Sequence, residues 1–298
     1  MKKIGNFAAV SIFFSVVWMT AGVTGFSSGQ GDPVFVGAGD IAECWLGWVN
    51  WFGGAGATAT LLDRIAGTVF TTGDHVYQDG TAEEFRNCYE PTWGRHKART
   101  RPSPGNHDYN VPDAGPYYTY FGDLAGPPGR GYYSYDLGAW HVVSLNSNIV
   151  AEAGSEQERW LREDLAAHQT RCTLAYWHHP LFSSGRRGNR SHMRDIWRVL
   201  YEFGVDVVVN GHDHIYERFA PQTPDGETDA ERGIREFIVG TGGSHLYHFE
   251  KIRPNSEVRD NSTYGVLKLT LHATSYDWEF IPVPGGTFRD AGSAACVP

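Results

Sequence analysis

Five short polar motifs carry most of the side chains in this sequence that could do chemistry. Each follows a short apolar run or a glycine, and each contains aspartate, asparagine, histidine or tyrosine. In chain order they are GD ending at Asp40, GDHVY with Asp74 and Tyr77, GNHDY with Asn106, His107 and Asp108, WHHP with His178 and His179, and GHDH with His212 and His214. Carboxylate and amide oxygens with imidazole nitrogens, and no thiolate, argue against a structural zinc site.

The donor set is large enough to predict two cations. Two carboxylates, one phenol, one amide and three imidazoles come from separate loops. Two metal ions about 3.5–4 Å apart need a ligand that joins them, and a carboxylate can do so. Asp74, central among these loops, is the predicted bridge. Each motif alone also occurs as an ordinary turn or strand end, so the prediction rests on the ordered set.

Short buried strands are predicted to position these motifs. Apolar, largely β-branched runs at 34–40, 69–74, 173–178, 205–212 and 237–243 contain or end in glycine or a polar residue. Such runs are typical of strands buried on both faces. The polar residues then lie on loops at the strand ends, where α/β folds bind their ligands.

Helices and antiparallel strands are predicted between these runs. Residues 155–168 open with a capping box and have an apolar face, and residues 191–203 also have helical spacing. Residues 132–145 and 264–283 alternate in the manner of antiparallel strands. The pattern indicates a layered α/β domain over residues 31–298, with no internal boundary.

Residues 1–30 are predicted to be a signal peptide and short leader. Lys2 and Lys3 precede an uncharged apolar run at 7–19, and small residues follow. The alternative is an uncleaved anchor, but the run is short for a span of about 20 residues. We therefore expect cleavage near residues 22–30, no stable membrane span afterwards, and a secreted or extracytoplasmic protein, which would be periplasmic in a host with that compartment.

Charge and cysteine content limit the function classes. The formal net charge of −9 argues against a nucleic-acid binder that works by neutralising phosphates. A small phosphorylated substrate stays compatible, because metal ions supply local positive charge. The four cysteines, at positions 44, 88, 172 and 296, suggest two disulfides in an exported chain, with three possible pairings.

The ordered motifs resemble the calcineurin-like metallophosphoesterase superfamily, and within it the purple acid phosphatases. The tyrosine of GDxxY, here Tyr77, and the segment GHDHIYER at 211–218 carry the second resemblance, which extends from about residue 34 to 283. It implies an α/β, four-layer αββα sandwich with its ligands on loops at the carboxyl ends of strands. It also implies the single-domain form, without the additional N-terminal β-sandwich domain of the large plant enzymes.

The resemblance implies two metal sites that share one carboxylate. The first site, Fe(III) in that family, takes Asp40, Asp74, Tyr77 and His214. The second site, which holds Fe(II), Zn(II) or Mn(II), takes Asp74, Asn106, His178 and His212. A phenolate is a hard anionic ligand that suits Fe(III), whereas neutral imidazoles and an amide suit a divalent ion. A centre with only manganese or only zinc is the alternative.

The resemblance also suggests roles for residues around the metals. His107 is expected to donate the proton to the leaving-group oxygen, and Asp108 to orient His107 by a hydrogen bond. His179, Arg186 and Arg187 are expected to bind substrate, with the two arginines standing where the family often has histidines. A solvated basic loop is the alternative for the arginines.

The function implied is hydrolysis of small phosphate monoesters by a metal-activated hydroxide. A phosphodiesterase or nucleotidase on the same centre is the nearest alternative. A non-catalytic binding module is the alternative from another class. Since Asp40 and Asp74 would meet at one metal, Cys44–Cys88 is an expected disulfide, which leaves Cys172–Cys296 as the second.

Overall fold

Two β-sheets form the centre of the fold in the computed structural model, which describes residues 1, 31–45, 48–49, 53–127 and 129–297. In chain order the strands are β1 Val34–Ala38, β2 Ala42–Trp45, β3 Trp48–Val49, β4 Thr68–Thr72, β5 Val76–Tyr77, β6 Thr100–Ser103, β7 Tyr133–Leu137, β8 Trp140–Ser144, β9 Cys172–Tyr176, β10 Val207–Asn210, β11 Tyr216–Phe219, β12 Arg235–Val239, β13 Ser256–Asp260, β14 Gly265–Leu271, β15 Ser275–Pro282 and β16 Ala291–Ala295. Apart from Met1, the predicted signal segment lies outside the described residues.

The helices lie mainly between the parallel strands. The α-helices are α1 Ala55–Leu62, α2 Ala82–Glu84, α3 Gly115–Phe121, α4 Glu156–Ala167 and α5 Arg194–Glu202. A π-helical turn at Phe85–Tyr89 and 3-10 turns at Trp93–Arg99, Pro112–Ala114, Gly122–Ala125 and Ser191–Met193 complete the helical segments of the described residues.

Parallel pairing at the centre of each sheet brings the polar loops to one edge. The first sheet has the order β16-β15-β14-β1-β4-β6, and β1, β4 and β6 are parallel. The second has the order β13-β11-β12-β10-β9-β8-β7, and β8, β9, β10 and β12 are parallel. The loops that follow parallel strands leave from the same edge, so the motifs after β1, β4, β6, β9 and β10 converge there.

The second sheet is buried on both faces, which explains its continuous apolar strands. Val207 and Val209 of β10 pack into the cluster between the sheets, whereas Val208 packs into a second cluster on the opposite face. The second cluster includes Leu161 of α4 and Trp197 of α5. Alternate side chains along these strands therefore face two apolar cores, instead of one core and the solvent.

Helix α1 supplies the remaining outer layer. Its buried alanines pack in the same cluster as β1 and β14 of the first sheet. Contacts such as Phe35–Tyr176 and Phe237–Trp278, with ring centroids 5.5 and 5.9 Å apart, join the two sheets face to face. The order helix, sheet, sheet, helix confirms the predicted four-layer αββα arrangement.

The predicted elements agree with the structure to within a few residues. The apolar runs became β1, β4, β9, β10 and β12, and the alternating segments became the antiparallel pairs β7–β8 and β14–β15. Helix α4 is capped by Ser155, which accepts the N–H of Glu158. The second hydrogen bond of the predicted capping box differs, because the Glu158 carboxylate accepts the N–H of Gly154 and not that of Ser155.

Both expected disulfides are present, Cys44–Cys88 and Cys172–Cys296. The first links β2 to the π-helical turn at Phe85–Tyr89. The second links β9 to the segment after β16. In the described residues, no helix combines the length and the apolar character needed to cross a bilayer.

Candidate metal centre

Three of the predicted ligands converge on the phenol of a fourth, Tyr77. Its oxygen lies 2.8 Å from Oδ1 of Asp40, 3.0 Å from Oδ2 of Asp74 and 3.0 Å from Nε2 of His214. The His214 nitrogen is also 3.2 Å from Oδ1 of Asp40. All four side chains are buried. The structure therefore groups the residues predicted for the first metal.

A second cluster forms around Nε2 of His178. This nitrogen lies 3.1 Å from Oδ1 of Asn106, 3.1 Å from Nδ1 of His212 and 3.3 Å from Oδ2 of Asp74. Two imidazole nitrogens that approach each other this closely are arranged as neighbouring ligands of one cation would be. These are the residues predicted for the second metal.

Asp74 belongs to both clusters. Its Oδ2 is the oxygen that meets the Tyr77 phenol on one side and the His178 imidazole on the other. Its Oδ1 accepts the backbone N–H of His107 at 2.8 Å, which fixes the rotation of the carboxylate. The contact pattern matches the predicted bridge.

The backbone at the ligands is held in an uncommon conformation. Asp40, Asp74 and His212 have φ values of 59°, 50° and 71°, in the left-handed region that non-glycine residues seldom occupy. Each such residue costs on the order of 1–3 kcal/mol. Close approach also requires Gly105, where a Cβ would lie 2.2 Å from Oδ1 of Asp74. Such strain clusters at functional sites.

Backbone carbonyls orient two of the histidines. Nδ1 of His178 donates to the Thr72 carbonyl at 2.7 Å, and Nδ1 of His214 donates to the His245 carbonyl at 2.7 Å. In both rings the lone pair of Nε2 therefore faces the cluster, which is the usual support for a ligating imidazole. Glu43 holds the His245 segment in turn, because its carboxylate accepts the His245 N–H at 3.1 Å.

The electrostatics of the two clusters suit cations. Burial, with the carboxylates of Asp40 and Asp74, raises the pKa of the Tyr77 phenol well above its usual value. Burial acts to lower the pKa of His178, but the Asp74 carboxylate outweighs it and raises that pKa to about 9. A buried phenol between two carboxylates releases its proton only to a strong positive charge. The donor chemistry thus fits two metal ions.

His107 lies beside the first cluster and is oriented by a backbone carbonyl. Its Nδ1 donates to the Gln78 carbonyl at 2.5 Å, and its ring packs against Tyr77 with centroids 4.4 Å apart. The predicted orienting role of Asp108 is therefore wrong. The donors that bind the two Asp108 oxygens come from Asp74, His75 and Gly105, and not from His107.

Asp108 instead links two ligand loops by hydrogen bonds to their backbones. Its Oδ2 accepts the backbone N–H groups of Gly105 at 2.8 Å and Asp74 at 3.1 Å. His75 contributes its backbone N–H at 3.3 Å and its Nδ1 at 2.9 Å. His75 is fully buried, and its Nε2 lies 2.7 Å from Oγ1 of Thr71. The sequence analysis did not assign His75, although it directly follows Asp74.

The predicted substrate residues lie at the rim of the two clusters. The His179 ring lies 4.3 Å from the ring of His212. Arg186 and Arg187 are exposed, and each guanidinium lies 5.8 Å from the centre of the Tyr247 ring. Tyr247 in turn stacks on His214 at 4.0 Å. No sequence signal pointed to Tyr247.

Comparison with known proteins identifies the family of this chain. Residues 33–216 match the family model for calcineurin-like phosphoesterases. Over 269 residues the chain is 26% identical to "Probable inactive purple acid phosphatase 27" of Arabidopsis thaliana, covering 75% of this chain and 42% of the relative. Over 171 residues it is 28% identical to an acid phosphatase of Aspergillus ficuum, covering 50% of this chain and 28% of that protein. The chain thus spans less than half the length of these relatives.

Solved structures show the same fold. A purple acid phosphatase from yellow lupin seeds superimposes with a TM-score of 0.74 at 21% identity, over 88% of this chain and 53% of that one. An anchor protein of the Plasmodium inner membrane complex superimposes with a TM-score of 0.68 at 13% identity, over 90% of each chain. The protein belongs to the calcineurin-like phosphoesterase family, and its similarities within that family include purple acid phosphatases.

We expect Asp108→Asn to weaken metal binding although Asp108 lies outside both clusters. The substitution replaces one acceptor oxygen by a donor that faces backbone N–H groups, so the Asp74 and Asn106 loops lose their common anchor. Supporting interactions of this kind are worth about 10- to 100-fold in metal affinity. A calorimetric titration of the metal-free protein with Zn²⁺ measures the loss of metal affinity.

Asp123→Asn is the matched control, because Asp123 is an exposed aspartate on a 3-10 turn. It should leave the affinity unchanged. Unaltered Zn²⁺ binding by Asp108→Asn would contradict the anchoring role.

Proposed function

We propose that this protein is an exported phosphatase that hydrolyses phosphate monoesters at a binuclear metal centre, with Fe(III) in the first site and a divalent ion in the second. The observation that carries the proposal is the shared Asp74 oxygen between a phenol-containing cluster and an imidazole–amide cluster. Two disulfides agree with an oxidising compartment and therefore with export.

The two clusters support the proposed ligand assignment. Asp40, Tyr77 and His214 would hold the first ion, Asn106, His178 and His212 the second, and Asp74 both. When bound, such ions neutralise phosphate oxygens and lower the pKa of a water molecule so that it attacks as hydroxide at moderate pH. The phenol oxygen gives the first site a hard anionic donor, whereas the second site has mostly neutral donors.

His107 is the proposed proton donor. Because Nδ1 is engaged by the Gln78 carbonyl at 2.5 Å, the proton that His107 delivers is the one on Nε2. The ring is half-buried and packs on Tyr77, so it lies at the edge of the first cluster. Protonation of the leaving-group oxygen there makes departure of the alcohol easier.

The arginines and His179 are proposed to bind the phosphate from the rim. Arg186 and Arg187 are exposed, and each guanidinium lies 5.8 Å from the centre of the Tyr247 ring, so their charges are available to a substrate. A guanidinium can bind two phosphate oxygens at once. On the other side, Ser147 lies 2.8 Å from Nδ1 of His179 and holds that ring beside His212.

Phosphate esters of two kinds separate the leading function from its alternatives. With iron and a divalent ion bound, the protein should hydrolyse p-nitrophenyl phosphate and turn over bis(p-nitrophenyl) phosphate much more slowly. A preference for the diester would indicate a phosphodiesterase. Bound metal without turnover of either ester would indicate a non-catalytic member of the family, an alternative raised by the relative whose name includes "inactive".

His107→Asn should lower kcat for p-nitrophenyl phosphate by about 10²- to 10⁴-fold, the usual contribution of a positioned acid. Metal content should not change, because the contact between residue 107 and Asp74 is made by the backbone N–H. Esters with a better leaving group should be affected less, since they need less protonation.

His272→Asn is the control for this variant, because His272 lies after β14 at the opposite end of β1. It should retain full activity. If kcat of His107→Asn were unchanged for esters with different leaving groups, His107 would not be the proton donor.

Tyr77→Phe should abolish a visible absorption band if the first ion is Fe(III). The band arises from charge transfer between a phenolate and Fe(III), and phenylalanine has no phenolate. Absorption spectra of the iron-loaded protein before and after the substitution test the assignment. A colourless, active wild-type protein without iron would instead identify a zinc or manganese centre.

A further inference from the structure

A buried histidine lies between two carboxylates near the start of β8, at the end of the strand opposite to the ligand loops. His141 is 1% exposed, and each of its ring nitrogens has a carboxylate partner. Nδ1 lies 3.0 Å from Oδ1 of Asp136, and Nε2 lies 2.8 Å from Oδ2 of Asp164. Asp136 belongs to β7 and Asp164 to α4, so the ring connects the β7–β8 hairpin to a helix.

Only the protonated form of this ring satisfies both contacts. A neutral imidazole has one N–H and one lone pair, so one of the two carboxylates would face a lone pair. An imidazolium donates from both nitrogens, and hydrogen bonds to a carboxylate are stronger when the donor is charged. Burial acts to lower the pKa of His141, but the hydrogen bonds with Asp164 and Asp136 outweigh it and raise that pKa. Geometry and electrostatics therefore both favour an imidazolium.

The carboxylate of Asp164 is positioned to keep His141 as its partner. It is 8% exposed, and its Oδ1 accepts the hydroxyl of Ser134 at 2.6 Å, which leaves Oδ2 for the imidazole. Burial acts to raise the pKa of Asp164, but the hydrogen bonds from His141 and Ser134 outweigh it and lower that pKa. Asp136 is 64% exposed, so water screens its contact with the ring. The buried pair of His141 and Asp164 is therefore the stronger of the two contacts.

The other neighbours of the ring favour a proton over a metal ion at this place. The ionisable groups that contact His141 are Asp136 on β7 and Asp164 and His168 on α4. On β9, the neighbouring strand on the other side, Thr173 pairs with His141 and does not ionise. His168 stacks on His141 with ring centroids 4.3 Å apart and an interplanar angle of 9°. Because the two rings lie in separate, nearly parallel planes, their lone pairs do not converge on one cation.

From this geometry we propose that His141 forms a pH-sensitive link between α4 and the β7–β8 hairpin. As an imidazolium it donates to both carboxylates and holds the C-terminal half of the helix on the sheet. When the proton leaves, one N–H remains, and one of the two carboxylates then faces a lone pair. The link is thus complete at low pH and is weakened as the pH rises.

The link stabilises the fold below neutral pH and not at high pH, because the pKa of His141 is raised on folding. Its contribution is complete below the pKa of an unfolded histidine, about 6.5, and is lost as the pH rises through the higher folded-state pKa. Asp164 sets the acid limit. Because its pKa is lowered on folding, its contribution is present above about 3.9 and is lost as the pH falls through the lower folded-state value.

Two measurements on the full chain test the proposal. NMR of the protein with ¹³C-labelled histidine, over a series of pH values, should give a pKa above about 6.5 for the signal that is missing from His141→Gln. Thermal unfolding should show a higher Tm for the wild-type protein than for His141→Gln at low pH. This difference should shrink at high pH, by about 3–5 °C for each unit by which the measured pKa exceeds the ordinary value.

His272→Gln is the matched control, because His272 also lies between two aspartates, 2.6 Å from Asp32 and 3.0 Å from Asp277, but is partly exposed. Its effect on Tm should vary much less with pH, because water screens such contacts. Asp136→Asn removes only the exposed acceptor and should lower the pKa of His141 measured by NMR. This variant provides the test if His141→Gln does not fold.

Three results would overturn the proposed link. A pKa of His141 at or below the ordinary value would show that the ring is neutral at neutral pH. A Tm difference between the wild-type protein and His141→Gln that is the same at every pH would show that the ring acts through packing alone. A metal ion present in the wild-type protein and lost from His141→Gln, measured by elemental analysis, would make the cluster a cation site. None of these measurements depends on phosphate ester hydrolysis, so the link and the proposed function are tested separately.

Discussion

The carboxylate of Asp74 is the constraint on which the rest of the structure depends. One oxygen meets the Tyr77 phenol and the His178 imidazole, although these residues come from different sheets. A single carboxylate can do this only where the carboxyl ends of β4 and β9 approach each other. The two sheets pack face to face through contacts such as Phe35–Tyr176, and this packing brings the two strand ends together.

Holding buried charge there requires compensation elsewhere in the fold. Asp40 and Asp74 are almost completely buried, and an unpaired buried carboxylate is strongly disfavoured. Backbone N–H groups contribute, since His212 donates to Asp40 and His107 donates to Asp74. The left-handed backbone at three ligands also costs stability, and the hydrogen bonds of Asp108 hold the ligand loops in place. The fold thus keeps a destabilising arrangement whose carboxylates, phenol and imidazoles suit cations.

Sequence patterns predicted the parts of this account that depend on residue type and spacing. Apolar runs ending in glycine located the strands, and the motif order located the ligands, because parallel strands bring their carboxyl ends together. The partner of Asp108 was missed for a physical reason. His107 adjoins Asp108 in the chain, yet only the fold reveals that His75 and two backbone N–H groups lie closer.

The metal stoichiometry of the wild-type protein and of Asp74→Ala tests the shared carboxylate most directly. Elemental analysis after reconstitution and gel filtration should give two ions per wild-type chain. Asp74→Ala should weaken both sites together, because each loses the same ligand. A single ion in the wild-type chain, or a variant that loses one ion and binds the other with unchanged affinity, would contradict a centre built around Asp74.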